Sequence, residues 1–257
     1  MQNQFQRTES ILGEDSTARL KDCCVAVFGV GGVGGYVTEA LARSGIGTID
    51  IIDSDKVDIT NLNRQIIATH DTIGRSKVDV FKERIHSICP ETTVNAYDRL
   101  YLPSSSAGDP NILTEHDFDF SAYDYIVDAI DNVTAKISLI SEADKAGTPI
   151  ISAMGCGNRI DPSKLELTDI YKTHDDPLAK IIRKKLRGLG IKKLKVVYST
   201  EEPMKPYASG KGSDTSISSG LPHDNKPAKR APGSTPFVPA SAGLMIASVV
   251  VRDLLII

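Results

Sequence analysis

The stretch from Val25 to Asp53 leaves this chain few folds to choose from. An apolar run, Val25–Phe28, breaks at Gly29, and glycines recur at Gly29, Gly31 and Gly34 in the G-x-G-x-x-G spacing. Val33, Val37, Ala40 and Leu41 then fall on one helical face, and Gly45 and Gly47 end the pattern. A second apolar run, Ile49–Ile52, closes on Asp53. Strand, glycine turn, helix, strand and acid in that order form a βαβ nucleotide-binding unit. Glycines let the backbone come close to a phosphate, and the free N–H groups at a helix start attract its charge. Asp53, at a strand tip, is placed to accept hydrogen bonds from a ribose. Glycines alone are a weak signal, because a glycine-rich turn also serves without a ligand. Their place between two apolar runs, with the acid about 20 residues on, makes the signal specific.

The rest of the chain extends this unit in α/β fashion. Gln4 to Leu20 reads as helix, with Gly13 as a possible break and Arg7 near its start. After Asp53 comes a polar loop that crowds Asp53, Asp55, Asn61, Arg64 and Gln65 together. It leaves the carboxyl end of a strand, the edge where open α/β sheets bind ligands. Ser76 reads as the N-cap of a helix with Asp79 three residues on, which puts Lys77 in the first turn. A cation is disfavoured there by the helix dipole, unless a phosphate sits against it. Thr93–Tyr97 reads as a strand, Ser104–Asp119 as a surface loop, and Tyr125–Ala129 as a strand that runs into Asp131 and Asn132. Asp131 suits either a Mg²⁺ ion carried by a nucleotide or the cap of the helix expected over Thr134–Ala146. Strands are expected at Pro149–Ala153, Leu165–Ile170 and Lys195–Ser199, a helix from Asp176-Pro177 to Leu189, and a last helix over Val238–Ile257.

Charge is unevenly spread. The 257 residues carry a net charge of −3. Yet Lys180, Arg183, Lys184, Lys185, Arg187, Lys192, Lys193 and Lys195 follow one another without an intervening acid. A solvated helix face would look similar, but a one-signed patch on an acidic chain favours a polyanion such as nucleic acid. The four cysteines, Cys23, Cys24, Cys89 and Cys156, form no C-x-x-C pair. That argues for a reducing, cytoplasmic setting without structural zinc. Met1–Asp22 is too polar for a leader. Ala242–Ile257 is apolar but interrupted by Arg252 and Asp253, so a buried helix is expected and at most a weak membrane contact. The expectation is one domain over residues 1–257, with a nucleotide half (1–153) and a substrate half (154–257) that includes a flexible 205–236 segment.

Five elements in order, G-V-G-G-V-G, I-I-D-S-D, T-N-L-N-R-Q, G-R-S-K and D-A-I-D-N-V, resemble the E1-like adenylating superfamily. The resemblance implies a Rossmann-like, largely parallel sheet extended by antiparallel strands in the C-terminal half. It implies ATP as cofactor, with Gly29, Gly31 and Gly32 lining the nucleotide and Asp53 on the ribose. Asn61, Arg64 and Lys77 would hold the phosphates beside Gln65. Asp131 would hold Mg²⁺, and Asn132 would lie near the nucleotide. Arg7 would reach the phosphates of the other subunit, which implies a homodimer. L-T-D-I-Y-K-T-H-D-D-P-L-A, the basic helix and V-Y-S-T-E look like the tRNA threonylcarbamoyladenosine dehydratase group. That likeness implies ATP-dependent ring closure of a modified adenosine in tRNA, with tRNA rather than DNA on the basic helix. The alternative is adenylation of a ubiquitin-like or sulfur-carrier protein, whose activators usually carry the zinc pairs missing here. A cysteine desulfurase or sulfur carrier stays open as a partner, although P-F-V-P-A-S-A-G has no cysteine where some relatives have one. Cys156 reads as a passive small residue.

Overall fold

The computed structural model describes residues 3–106, 108–205 and 232–256. Helices α1 (Gln6–Leu12) and α2 (Glu14–Lys21) meet at Gly13, the expected break. Then follow β1 (Cys24–Phe28), α3 (Gly34–Ser44), β2 (Thr48–Ile52), α4 (Lys77–Ile88), β3 (Thr93–Tyr97), β4 (Leu100–Tyr101) and β5 (Ile112–Leu113). The second half adds β6 (Tyr125–Asp128), α5 (Val133–Ala146), β7 (Ile150–Ala153), β8 (Leu165–Asp169), α6 (Pro177–Leu189), β9 (Lys195–Ser199) and α7 (Phe237–Leu255). Part of 205–236, residues 206–231, lies outside the described residues.

Seven strands form one sheet in the order β3-β2-β1-β6-β7-β9-β8. All neighbours are parallel except β8 on β9. The antiparallel extension is therefore the single edge strand β8, because β9 itself runs parallel to β7. Ser104–Asp119 is not all loop: Ile112–Leu113 pairs with Leu100–Tyr101 as a second, two-stranded sheet.

Apolar runs without alternation make β1, β2 and β6 buried on both faces, as a parallel sheet requires. In β1, Val25 and Val27 join the core that α3, α4 and α7 complete, while Ala26 and Phe28 turn to the core under α5. A third core packs α6 against β9 through Ile182, Leu186, Val196 and Tyr198. Helix α7 is long and apolar enough to cross a membrane by length and composition. Its Ala242, Ile246, Val249 and Val250 are nevertheless buried in the first core, and it packs along α3. The connections β1–α3, β2–α4 and β6–α5 thus open at one edge of the sheet.

Candidate active site

The glycine turn is built for backbone contact. Gly29 leaves β1 at φ +85, and a Cβ there would lie 2.7 Å from the Ala129 carbonyl oxygen. A Cβ on Gly34 would lie 1.8 Å from the Gly29 carbonyl oxygen. These two glycines let the turn press against the β6–α5 connection. Gly31 and Gly32 stand free of backbone: their nearest neighbours would be Gln65 Nε2 at 3.7 Å for Gly31, and Pro239 Cβ at 3.4 Å and Arg64 Cγ at 3.6 Å for Gly32. Helix α3 starts here with no side-chain cap and no acid in its first turn. The N–H groups of Gly35, Tyr36 and Val37 already donate to the Gly31 and Val33 carbonyls, so it is the amides ahead of them, from Gly31 to Gly34, that are left to face an anion.

Asp53 stands beside the turn. One carboxylate oxygen accepts from the Val30 N–H at 2.9 Å and the other from the Asp55 N–H at 2.9 Å. Lys77 is buried, its side chain 5% exposed, and donates to Asp55 Oδ2 at 2.6 Å with Asp53 Oδ1 3.8 Å away. Burial lifts the Asp53 carboxyl above its ordinary pKa, with the Lys77 charge pulling the other way. The cation in the first turn of α4 is thus offset by two carboxylates. Asp55 is the partner that motif reading did not assign, although it stands in the same polar cluster. Ser76 occupies the N-cap position, but the expected capping bond is not formed, and its hydroxyl is buried without a partner.

The loop after β2 brings the next three residues in. Asp58 caps a short turn over Ile59–Asn61, and Asn61 Oδ1 returns a bond to the Asp58 N–H at 3.2 Å. Asn61 is therefore partly spent on holding its own loop. Arg64 Nη1 donates to the Thr60 carbonyl at 2.8 Å and to Asn63 Oδ1 at 2.9 Å. Gln65 is buried beside Gly31, and its Oε1 has no partner. A cradle of glycines, an uncapped helix and a Ser76 hydroxyl that has no partner among the described residues fit a bound nucleotide phosphate, while Gln65 Oε1, an acceptor, fits a hydroxyl or amine of the same ligand.

The two acids of D-A-I-D part ways. Asp131 is exposed and has no hydrogen-bond partner among the described residues. Asn132, not Asp131, caps α5, accepting from the Thr134 N–H at 2.9 Å and the Ala135 N–H at 3.0 Å. Its Oδ1 is therefore engaged in the cap. Asp128 is fully buried and holds Lys136 Nζ at 2.8 Å and the Ser152 hydroxyl at 2.6 Å. This buried pair was missed, although a lysine in the apolar stripe of α5 and an acid inside Y-I-V-D signal it. No cluster of three His, Cys, Asp or Glu occurs among the described residues. A Mg²⁺ ion at Asp131 would therefore lean on phosphate oxygens, as that ion commonly does.

Arg7 is exposed and stands apart from these residues. Phe5, two positions earlier, packs on Gly45 at the far end of α3 from the glycine turn. With a rise of about 1.5 Å per residue, the length of α3 separates the two.

The basic run divides. Ala179, Ile182 and Leu186 bury one face of α6, and Asp176 caps it through the Ala179 N–H at 3.0 Å. Arg183 turns inward, donating to the Thr173 carbonyl at 2.6 Å and to its hydroxyl. Lys195 pairs with Asp253 at 2.5 Å. Arg187 lies over the Tyr171 ring, 5.4 Å from its centroid. Lys180, Lys184, Lys185, Lys192 and Lys193 are exposed. Buried Arg159, also missed, ties this helix to the β7–β8 loop: its Nε donates to the Glu201 carbonyl at 3.1 Å, and Nη2 lies 3.6 Å from Asp176 Oδ2. Burial pushes the Cys156 thiol up to about 12, the opposite of a reactive thiolate.

Fold and site together define an E1-like α/β protein with a glycine turn at the carboxyl edge of its sheet. The chain belongs to the ThiF family, whose profile matches residues 2–197. It is 42% identical over 259 residues to tRNA threonylcarbamoyladenosine dehydratase of Bacillus subtilis, a match covering 99% of this chain and 96% of that one. Solved structures of the Escherichia coli enzyme, TcdA, with AMP and with ATP give TM-scores of 0.82 and 0.80 at 32% identity, covering 98% of this chain and 94% of that one. The Mycobacterium tuberculosis protein described as a probable adenylyltransferase/sulfurtransferase, MoeZ, is 36% identical over 140 residues, 54% of this chain and 33% of its own.

Proposed function

We infer that this chain is an ATP-dependent tRNA threonylcarbamoyladenosine dehydratase. The observation that carries the reading is end-to-end similarity to enzymes of that name, 99% of this chain in the Bacillus subtilis case. Similarity to MoeZ stops at about half the chain, which fits a shared adenylating half and not a shared protein substrate.

The reaction follows from the chemistry of a carboxylate. Its own leaving group would be oxide, so it cannot acylate a nucleophile directly. The threonyl carboxylate attacks the α-phosphorus of ATP, a P–O bond to pyrophosphate breaks, and an acyl adenylate forms. The neighbouring ureido group then attacks the acyl carbon and expels AMP. The sum converts ATP to AMP and pyrophosphate while the nucleoside loses the elements of water. Catalysis of this kind rests on positioning and charge neutralisation.

We assign Gly31, Gly32 and the free amides leading into α3 to the phosphates and Asp53 to the ribose. Arg64, Lys77 and Gln65 take the triphosphate side, where Lys77 would exchange Asp55 for a phosphate oxygen. Asp131 would hold Mg²⁺, which would neutralise phosphate charge. Two chains would form a homodimer in which Arg7 completes the partner's site, consistent with its distance from its own. The exposed lysines of α6 would receive tRNA, and the enzyme would work in the cytoplasm. Incubation of tRNA bearing threonylcarbamoyladenosine with the protein, ATP and Mg²⁺, followed by nucleoside mass spectrometry, should show loss of one water. An unchanged nucleoside mass with AMP released on adding a small carrier protein would favour the other substrate class.

A further inference from the structure

Residues 232–236 form a strap that leads into α7 and is gripped from two sides. On one side stands Asn158 of the β7–β8 loop, held at φ +58. Its N–H donates to the Gly233 carbonyl at 2.7 Å, and its Oδ1 accepts from the Gly233 N–H at 2.7 Å. On the other side stands Asn63. Its Nδ2 donates to the Ser234 carbonyl at 2.9 Å, while its Oδ1 accepts from Arg64 Nη1 at 2.9 Å. The amide cannot be turned round, because that would set an NH₂ group against a guanidinium. Inside the strap the Thr235 hydroxyl is buried without a partner among the described residues, and just beyond it Pro239 lies against Gly32 of the glycine turn.

We propose that Asn63 is a positioning residue for adenylation: one amide fixes the Arg64 guanidinium and the strap as a unit at the phosphate end of the site. The proposal rests on the functional reading above. Thr60 supplies Arg64 with a second acceptor, so loss of Asn63 loosens the guanidinium without freeing it. Asn63 is exposed, and its replacement leaves no buried group unpaired.

The test is steady-state AMP release from ATP and threonylcarbamoyl-tRNA by the full chain. Asn63→Ala should raise the ATP KM and lower kcat, each about tenfold, as loss of a charge-assisted bond allows. Asn63→Asp keeps the acceptor for Arg64 but removes the donor to Ser234, so it should restore KM while kcat stays low. Asn158→Gly suits the positive φ, removes the side-chain bond to the Gly233 N–H while keeping the backbone one, and should lower kcat in the same direction. The double variant Asn63→Asp/Asn158→Gly should be no worse than the poorer single one. Wild-type kcat in Asn63→Asp, or fully additive losses, would overturn the proposal. A wild-type chain that releases no AMP with this tRNA would overturn the functional reading instead. In that case stabilisation by ATP–Mg²⁺, weakened in Asn63→Ala and kept in Asn63→Asp, reads the Arg64 half on its own, and equal stabilisation of both would refute it.

Discussion

At Asp131 the chain presents a carboxylate to solvent at the sheet edge that carries the glycine turn, and nothing in the described fold uses it. Asp131→Ala should therefore lower kcat by at least about 100-fold while the melting temperature moves by no more than about 2 °C, since exposed substitutions away from caps and pairs cost little. Turnover assays beside thermal denaturation decide this, and full activity would remove the metal assignment. Lys136 is the opposite case. Lys136→Met strands a buried carboxylate at Asp128 and should cost about 3–5 kcal/mol in urea unfolding, with part of the loss recovered by adding Asp128→Asn. At this scale the sequence shows which residue types gather but not which way each faces. D-A-I-D-N offers two acids and an amide to one strand end. Only the exact end of β6 decides that Asp128 goes inward, Asn132 caps and Asp131 stays free.

Helix α6 shows how an element sorts its own charges. Its run of basic residues is legible as a pattern, yet charge says nothing of partners. Arg183 closes the turn at Thr173 through Nη1 and Lys195 pairs with Asp253, so both already have partners within the chain. Reversal of Lys180, Lys184 and Lys185 to Glu should weaken tRNA binding and flatten its salt dependence, leaving ATP binding unchanged. Arg183→Ala should instead cost about 1–3 kcal/mol of stability through the lost bonds at Thr173. Filter binding across a salt series, paired with denaturant titration, separates the two effects. The apolar runs Val25–Phe28 and Ile49–Ile52 locate β1 and β2 within a residue. By contrast, β4 and β5 are two residues each, too short for any period to register, and they exist only because they find one another.

For the whole molecule, the position of Arg7 carries the consequence. Helix α1 lies at the end of α3 that points away from the turn, so under the proposed dimer an arginine there would serve the partner's site across a two-fold axis. A chain with Arg7→Ala and a chain with Asp131→Ala should each be inactive. Mixed and reassembled, they should regain about a quarter of wild-type activity, because half the dimers are mixed and each holds one intact site. Mixing that restores nothing, measured as AMP release after refolding together, would place Arg7 outside the site.

Helix α7 also fixes when the molecule can be finished. It covers the Val37 and Leu41 face of α3 and sets Pro239 beside Gly32, yet it emerges from the ribosome after every other element described here. The nascent βαβ unit must carry that bare hydrocarbon surface through most of its synthesis. A chaperone that screens growing polypeptides would find its longest-lived client surface on α3, released only when residues 237–255 clear the exit tunnel.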